Sequence, residues 1–316
     1  MHILVTGALG HIGSRLIRTI PTLVSGADIC LLDNLSTQRY CSLFDLPDHA
    51  TYRFVEADVL TTDLVSLCRE ADVVIHLAAL IDDESVPAAT IDQVNRGGTE
   101  RVARACAETH TALIFVSTTS VYGTLSGAVD EECRLADVDV FGPYTRSKWS
   151  GERILEKAGR EHGLRFVICR FGSIVGVSPG MRFHTAVSKF CWQALTGVPL
   201  TVWRHAVHQQ RPYLDLGDAV RALIFLLQRQ LFDGRTYNVV SFNVTVSDVV
   251  RAISTYVPQL QVRYADPPIS NQPSYRVDSG RLTDLGFAFT GTLDCGVSDT
   301  TRLLRALVDQ RTSVSR

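Results

Sequence analysis

The 316-residue chain predicts an α/β fold in which a doubly wound parallel sheet, covered by helices on both faces, is joined by a smaller α/β lobe. Three observations carry this. Short apolar runs recur at residues 2–6, 27–32, 51–55, 72–78, 112–117, 165–170 and 236–240, and most of the gaps between them carry helical periodicity. Strands that are apolar on both faces belong to parallel sheets buried between helix layers. The first run ends in Thr6-Gly7-Ala8-Leu9-Gly10-His11-Ile12-Gly13, and an acidic residue, Asp33, closes the second run twenty positions after Gly13.

His2–Thr6 reads as a strand that the glycines turn into a helix. Gly7 permits a tight turn, Gly10 lets backbone come close to a pyrophosphate, and Gly13 lets helix pack on strand. The N–H groups and dipole at the start of such a helix favour phosphate. Asp33 would accept hydrogen bonds from both ribose hydroxyls of an adenosine and repel a 2′-phosphate. The pattern therefore points to a dinucleotide, NAD in preference to its phosphorylated form. The first helix should end at Ile20, before Pro21. Helices over 63–69, 90–108 and 144–162 separate later strands.

The second half is less regular. It has a glycine-rich bend over 171–180, helices over 183–196, 215–228 and 247–256, and an extended stretch at 199–203. Breaks at Ala265-Asp266-Pro267-Pro268 and Asn271-Gln272-Pro273-Ser274 precede a last helix over 300–308 and a polar tail. Residues 1–170 and 213–240 are expected to form the dinucleotide-binding domain, and 171–212 with 241–316 the smaller lobe that walls the cleft. In an open parallel sheet the ligand lies beyond the carboxyl ends of the strands, so functional residues should follow Thr6, Asp33, Ala78, Ser117 and Arg170.

A net charge of −2 leaves no electrostatic footprint for nucleic acid or an anionic membrane. No run is long and apolar enough to span a bilayer, and the chain opens on a strand with no signal-peptide pattern. Eight cysteines lie scattered without a Cys-x-x-Cys pair, several of them (Cys30, Cys106, Cys169) in apolar patterns. A reduced, cytoplasmic protein is the expectation. The nine histidines form no metal-spaced cluster; His205 and His208, the nearest pair, lack a third ligand.

Two segments carry chemistry. Phe115-Val116-Ser117-Thr118-Thr119-Ser120 puts hydroxyls at a strand end, and Tyr144 and Lys148 stand one helical turn apart on one face. An ammonium near a phenol favours phenolate and lowers its pKa from about 10. That gives a general base for an alcohol, with a hydroxyl such as Thr118 to steady the same oxygen.

With these residues in view, the chain resembles the extended short-chain dehydrogenase/reductases, in particular the NAD-dependent epimerases and dehydratases of nucleotide sugars. The resemblance rests on Thr6-Gly7-x-x-Gly10-x-x-Gly13, Asp33-Asn34-Leu35, Asp58-Val59, His76-Leu77-Ala78-Ala79, Asn95-x-x-Gly98-Thr99, Ser117-Thr118 before Val121-Tyr122-Gly123, and Tyr144-x-x-x-Lys148. It implies a Rossmann-type fold and NAD held by Gly7, Leu9, Gly10, His11, Ile12, Gly13, Asp33 and Asn34. Asp58 and Val59 would meet adenine, Leu77, Ala78 and Ala79 would line the dinucleotide, and Asn95 would support the site from its helix. Thr118, Tyr144 and Lys148 take the catalytic positions, Lys148 also binding the nicotinamide ribose. The implied substrate is a nucleotide sugar, a UDP-sugar by preference, contacted by Thr118, Thr119, Ser173, Arg211 and Arg276. Arg211 would grip the diphosphate; the other reading is a surface ion pair with Asp215. A homodimer through the helices over 90–108 and 144–162 is implied as well.

Departures from the family pattern narrow the activity. Thr119-Ser120 replaces the Asp-Glu pair of 4,6-dehydratases, which argues against elimination of water. Ile81 stands where many 4-epimerases carry lysine, and Asp82-Asp83-Glu84 after it reads as a solvated loop. Ser173 replaces a common asparagine, and a second phosphate-binding arginine is missing near Asp266-Pro267, for which Arg276, ten residues away, is the candidate substitute. The expected activity is a 4-epimerase working by transient oxidation at C4. The alternatives are a net oxidoreductase of a related sugar or secondary alcohol, and a catalytically dead NAD-binding regulator, against which the intact Thr118, Tyr144 and Lys148 stand.

Overall fold

The computed structural model describes residues 1–81, 86–123, 125–133, 142–266 and 274–305. The acidic run 82–84, most of the two expected breaks (267–268 and 271–273) and the end of the last expected helix (306–308) lie outside them. The first half runs β1 (His2–Thr6), α1 (His11–Leu23), β2 (Asp28–Asp33), β3 (Thr51–Glu56), α2 (Leu64–Arg69), β4 (Val73–His76), α3 (Ala88–Asp92), α4 (Gly98–Thr109), β5 (Ala112–Thr118), β6 (Gly127–Val129), α5 (Gly142–His162) and β7 (Phe166–Phe171). The second adds β8 (Ser173–Val175), α6 (Ala186–Leu195), β9 (Leu200–Trp203), β10 (Gln210–Asp215), α7 (Leu216–Gln228), β11 (Thr236–Val239), β12 (Phe242–Thr245), α8 (Val246–Tyr256), β13 (Val262–Ala265), β14 (Tyr275–Val277), α9 (Gly280–Asp284) and α10 (Leu293–Leu304).

The seven apolar runs join in one parallel sheet of order β11-β7-β5-β4-β1-β2-β3. Every residue of β4, β5 and β7 is buried, including the polar His76, Ser117, Thr118 and Arg170 toward their carboxyl ends. On one face α1 and α7 bring Leu16, Ile17, Ile20, Ala219, Leu223 and Leu226 onto the sheet. On the other, α2, α4 and α5 contribute Leu64, Cys68, Val102, Cys106 and Leu155. The chain winds one way from β1 to β3 and the other way from β4 to β11, so the strand order reverses between β1 and β4. A crevice opens there at the carboxyl ends.

The last helix, expected over 300–308, starts at Leu293 as α10, the short α9 was not expected, and three further local results differ from the expectation. Helix α1 continues through Pro21 to Leu23; the Ile17 carbonyl that proline cannot serve accepts instead from the Tyr52 hydroxyl at 3.1 Å. The helix expected over 90–108 is α3 and α4 joined by a π turn at Gln93–Gly97, which turns Asn95 into the interior. Six short strands, β6, β8, β10, β12, β13 and β14, were not anticipated. With β9 they form a three-stranded sheet, β12-β10-β8, and two parallel pairs, β13–β9 and β14–β6. At three to six residues each, many half-exposed, they leave little apolar run to read. Val187, Phe190, Val202, Tyr213, Val249 and Ile253 give this part its own core. Among the described residues no helix is long and apolar enough to cross a membrane, and no three His, Cys, Asp or Glu side chains gather to hold a metal.

Candidate active site

The glycine turn is built as its spacing implies. Gly7 has φ +68°, and a Cβ there would lie 2.6 Å from the Ala78 nitrogen, where the end of β4 passes. A Cβ on Gly13 would meet the Gly7 carbonyl oxygen at 2.5 Å, so only glycine lets α1 start this close to the turn. At Gly10, the N-cap of α1, a Cβ would point toward open cleft, its nearest neighbours being the Gly7 oxygen at 3.3 Å and Arg39 Nη1 at 3.6 Å. Helical geometry leaves the N–H groups of His11, Ile12 and Gly13 without intrahelical acceptors. The cradle therefore fits a diphosphate.

Asp33, at the end of β2, is held by both oxygens: Leu9 N–H donates to Oδ2 and Leu35 N–H to Oδ1, each at 3.0 Å. Each oxygen keeps a second lone pair for a ribose hydroxyl. Asn34 donates to Asp58 Oδ2 at 2.8 Å, which ties the ends of β2 and β3 together, with Val59 buried beside them. A strap formed by residues 176–180 lies over the turn. His11 Nε2 donates to the Gly176 carbonyl (3.0 Å), Ser178 Oγ to the His11 carbonyl (2.9 Å) and Gly180 N–H to Ser14 Oγ (3.0 Å). Burial lowers the His11 pKa to about 4, opposed by the Gly176 bond and assisted by His184, Arg39 and Arg182; the ring stays neutral.

A cleft of about 400 Å³ runs from this turn across the ends of β4, β5 and β7 to Ser173 on β8 and to the segment that follows the strap. Gly7, Gly10, His11, Ile12, Gly13, Leu77 and Ala79 line it together with Thr118, Ser120, Tyr144 and Lys148. Lys148 is buried on the second turn of α5, and its ammonium donates to the Val116 carbonyl at 2.8 Å and lies 5.0 Å from the Phe115 ring centre. Burial brings its pKa down to about 8, while Glu152 pulls it up. Thr118 Oγ1, at the end of β5, exchanges hydrogen bonds with Ser120, accepting from its N–H and donating to its Oγ, both at 3.2 Å. Among the described residues lining the cleft none is acidic.

Asn95 acts from behind. Its amide donates to the Leu80 carbonyl (2.8 Å) and Ser147 Oγ (2.9 Å), its oxygen accepts from Leu80 N–H (2.7 Å), and Ser147 donates to the Tyr144 carbonyl (2.7 Å). The loop after β4 is thereby tied to the first turn of α5. Glu152 on α5 accepts from Ser117 Oγ at 2.5 Å and from Arg170 at 2.6 Å, bracing the same helix against the ends of β5 and β7.

The substrate residues named from the sequence separate. Ser173 faces the cleft. Thr119 is buried, donating to the Phe171 carbonyl at 3.3 Å, and Ser120 is the hydroxyl that lines the opening. Arg211 is not among the described residues lining the cleft; it donates to the Gln210 carbonyl and Gln209 Oε1 and lies 5.7 Å from the Tyr275 ring, while Asp215 caps α7. Arg276 is exposed on β14, on the opposite side from the buried Tyr275 and Val277. Sequence reasoning missed Arg39, Arg182 and His184, which also line the cleft. Arg39 follows the Asp33 strand and Arg182 follows the glycine-rich bend, the only signals that could have marked them.

Residues 3–240 match the NAD dependent epimerase/dehydratase family. An uncharacterised UDP-glucose epimerase of Bacillus subtilis is 31% identical over 253 residues, 76% of each chain. A dTDP-glucose 4,6-dehydratase of Streptomyces niveus is 30% identical over 238 residues, 72% of this chain and 69% of the relative. In fold the chain is similar to UDP-glucuronic acid 4-epimerase from Bacillus cereus in complex with NAD, with a TM-score of 0.86 at 24% identity, covering 97% of this chain and 99% of the other.

Proposed function

The chain belongs to the NAD-dependent epimerase/dehydratase family, and on that footing we propose that it is an NAD-dependent nucleotide-sugar 4-epimerase, with a UDP-sugar as substrate. One observation carries this choice within the family. Thr118, Tyr144 and Lys148 share a cleft with the dinucleotide turn, and Ser120 is a further hydroxyl that lines it beside Thr118. Elimination of water needs an acid and a base beyond the C4 hydroxyl, and Thr119 and Ser120 are poor at either task. Alcohol oxidation and its reversal need only the base at hand.

Residues 1–170 and 213–240 would hold the dinucleotide, and the rest the sugar nucleotide. Gly7, Gly10, Gly13 and the first N–H groups of α1 would hold the diphosphate, Asp33 the adenosine ribose, and Lys148 the nicotinamide ribose. When bound, NAD supplies a two-electron oxidant that takes up and returns the C4 hydrogen. Tyr144, as phenolate, takes the O4 proton and later gives it back. Thr118 steadies that oxygen by a hydrogen bond, and the Lys148 ammonium favours the phenolate. Inversion follows when the 4-keto sugar turns over before the hydrogen returns.

Free thiols at all eight cysteines support a cytoplasmic setting. Two copies would meet through α4 and α5. The outward positions there are charged (Glu100, Arg104, Glu108, Arg153, Lys157, Arg160), so such a dimer should dissociate in salt, which sedimentation at low and high ionic strength measures.

The activity test is incubation in deuterated water with UDP-glucose, UDP-galactose and their N-acetyl and uronic relatives, read by NMR. A 4-epimerase gives an inverted C4 centre, no deuterium on carbon and no stoichiometric NADH. Deuterium at C5 with loss of water would mean a dehydratase, and steady NADH release a net oxidoreductase.

A further inference from the structure

Arg39 and Arg182 have no part in the mechanism above. Both are half-buried and both line the cleft. Among the described residues neither guanidinium has a hydrogen-bond or ion-pair partner. They come from different walls, Arg39 from the loop after β2 and Arg182 from the segment after the strap. They are close enough to repel. The Arg39 pKa is lowered by burial and then by Arg182, with Asp33 pulling the other way.

Their position is specific. Arg39 Nη1 lies 3.6 Å from where a Cβ on Gly10, the cap of α1, would stand, and Arg182 acts electrostatically on His11 in the first turn. His11 is neutral and donates to Gly176, so it neither answers nor adds to the charge. Two partnerless cations half-buried side by side are costly, and an anion between them removes the cost. The nearest set of free backbone donors is the start of α1, so the missing anion belongs over that helix.

The structure assigns Arg39 and Arg182 as a two-arginine clamp on the diphosphate of the bound dinucleotide, closing on it from either side of the glycine turn. The assignment rests on the NAD-binding reading above. The diphosphate carries two negative charges and several acceptor oxygens, which two planar guanidinium forks match. The glycine turn alone offers only N–H groups and a dipole; the clamp adds full charge, and with it a salt-dependent hold on the cofactor.

The test uses the full-length chain, freed of nucleotide with charcoal and titrated calorimetrically with NAD, NADP, ADP and adenosine. Wild type is compared with Arg39→Ala, Arg182→Ala, the double variant and the Arg→Lys pair, after circular dichroism has checked that each is folded. Each alanine variant should bind NAD and ADP roughly ten- to hundredfold more weakly, with adenosine affinity unchanged, and the double variant more weakly still. The lysine variants should fall between. Unchanged NAD and ADP affinity in either alanine variant overturns the clamp. So does loss confined to NADP in Arg39→Ala, which would make Arg39 a reader of a 2′-phosphate. A raised KM for a nucleotide sugar with unchanged NAD affinity in Arg182→Ala would move Arg182 to the substrate and overturn it equally. Wild type that binds NAD through both arginines yet converts no nucleotide sugar sinks the epimerase reading and leaves the clamp standing.

Discussion

Lys148 is a side chain whose environment sets its working range. Burial costs it proton affinity, Glu152 one turn on restores part, and the balance near pH 8 leaves an ammonium at neutrality. Activity that depends on this charge should fall as pH rises through about 8, and Lys148→Met should remove that limb while weakening NAD binding; a pH–rate profile measures both. Tyr144→Phe keeps the ring and loses the ionisable oxygen, so turnover should fall at least roughly a hundredfold with the fold intact. His76 gives a stability prediction. Buried between Thr6 and Thr99, it has its pKa lowered to about 3 by burial and then by Lys148. Between about 3 and the ordinary 6.5 the unfolded chain binds the extra proton, so stability falls on acidification across that window. From pH 7 to 5 the loss from this residue should be about 2 kcal/mol, visible in denaturant midpoints and reduced in His76→Gln. At this scale the sequence was readable where function repeats a local spacing, as with Tyr144 and Lys148. It was not readable for Arg39 and Arg182, which have no nearby spacing to mark them, or for Thr119 against Ser120, which one tight turn assigns to opposite sides.

Among the elements, α1 and the α3–α4 helix show what periodicity reveals and what it hides. The apolar stripe locates each helix, because burial against the sheet demands it. The π turn at Gln93–Gly97 has no local signature; its cause is the set of bonds Asn95 makes to Leu80 and Ser147. Asn95→Ala would leave half-buried backbone groups of Leu80 without their partner, costing about 1–3 kcal/mol, and would loosen the first turn of α5, so turnover should drop as well as stability. Gly13→Ala is the corresponding test of α1. The added methyl must push against two carbonyl oxygens of the turn, Gly7 at 2.5 Å and Ala8 at 2.6 Å. About 1–3 kcal/mol of stability should go, and NAD affinity with it, by thermal unfolding and titration respectively.

Over the whole molecule, the large sheet was legible because seven mainly apolar runs, most of them separated by helical patterns, leave few other arrangements, whereas the short strands of the second half are defined by their partners and not by their own sequence. Their attachment depends on single groups. Asp218, fully buried at the start of α7, accepts from Ser241 Oγ (2.7 Å), Gly291 N–H (2.9 Å) and Thr290 N–H (3.1 Å) and pairs with Arg221, joining the sheet to the C-terminal segment. The strap at 176–180 has a consequence of another kind. It belongs to the chain after β7 but rests on the turn before α1, with the Gly180 Cα so close that a Cβ would lie 2.3 Å from the Leu9 carbonyl oxygen. If the strap lies across the exit of the dinucleotide, release becomes a gated process. The residence time of the cofactor would then follow the opening frequency of this one segment, whatever its equilibrium affinity. Amide exchange at 176–180 and cofactor off-rate should rise together in Ser178→Ala, which removes the strap's bond to the His11 carbonyl and leaves the His11 N–H free to face the diphosphate.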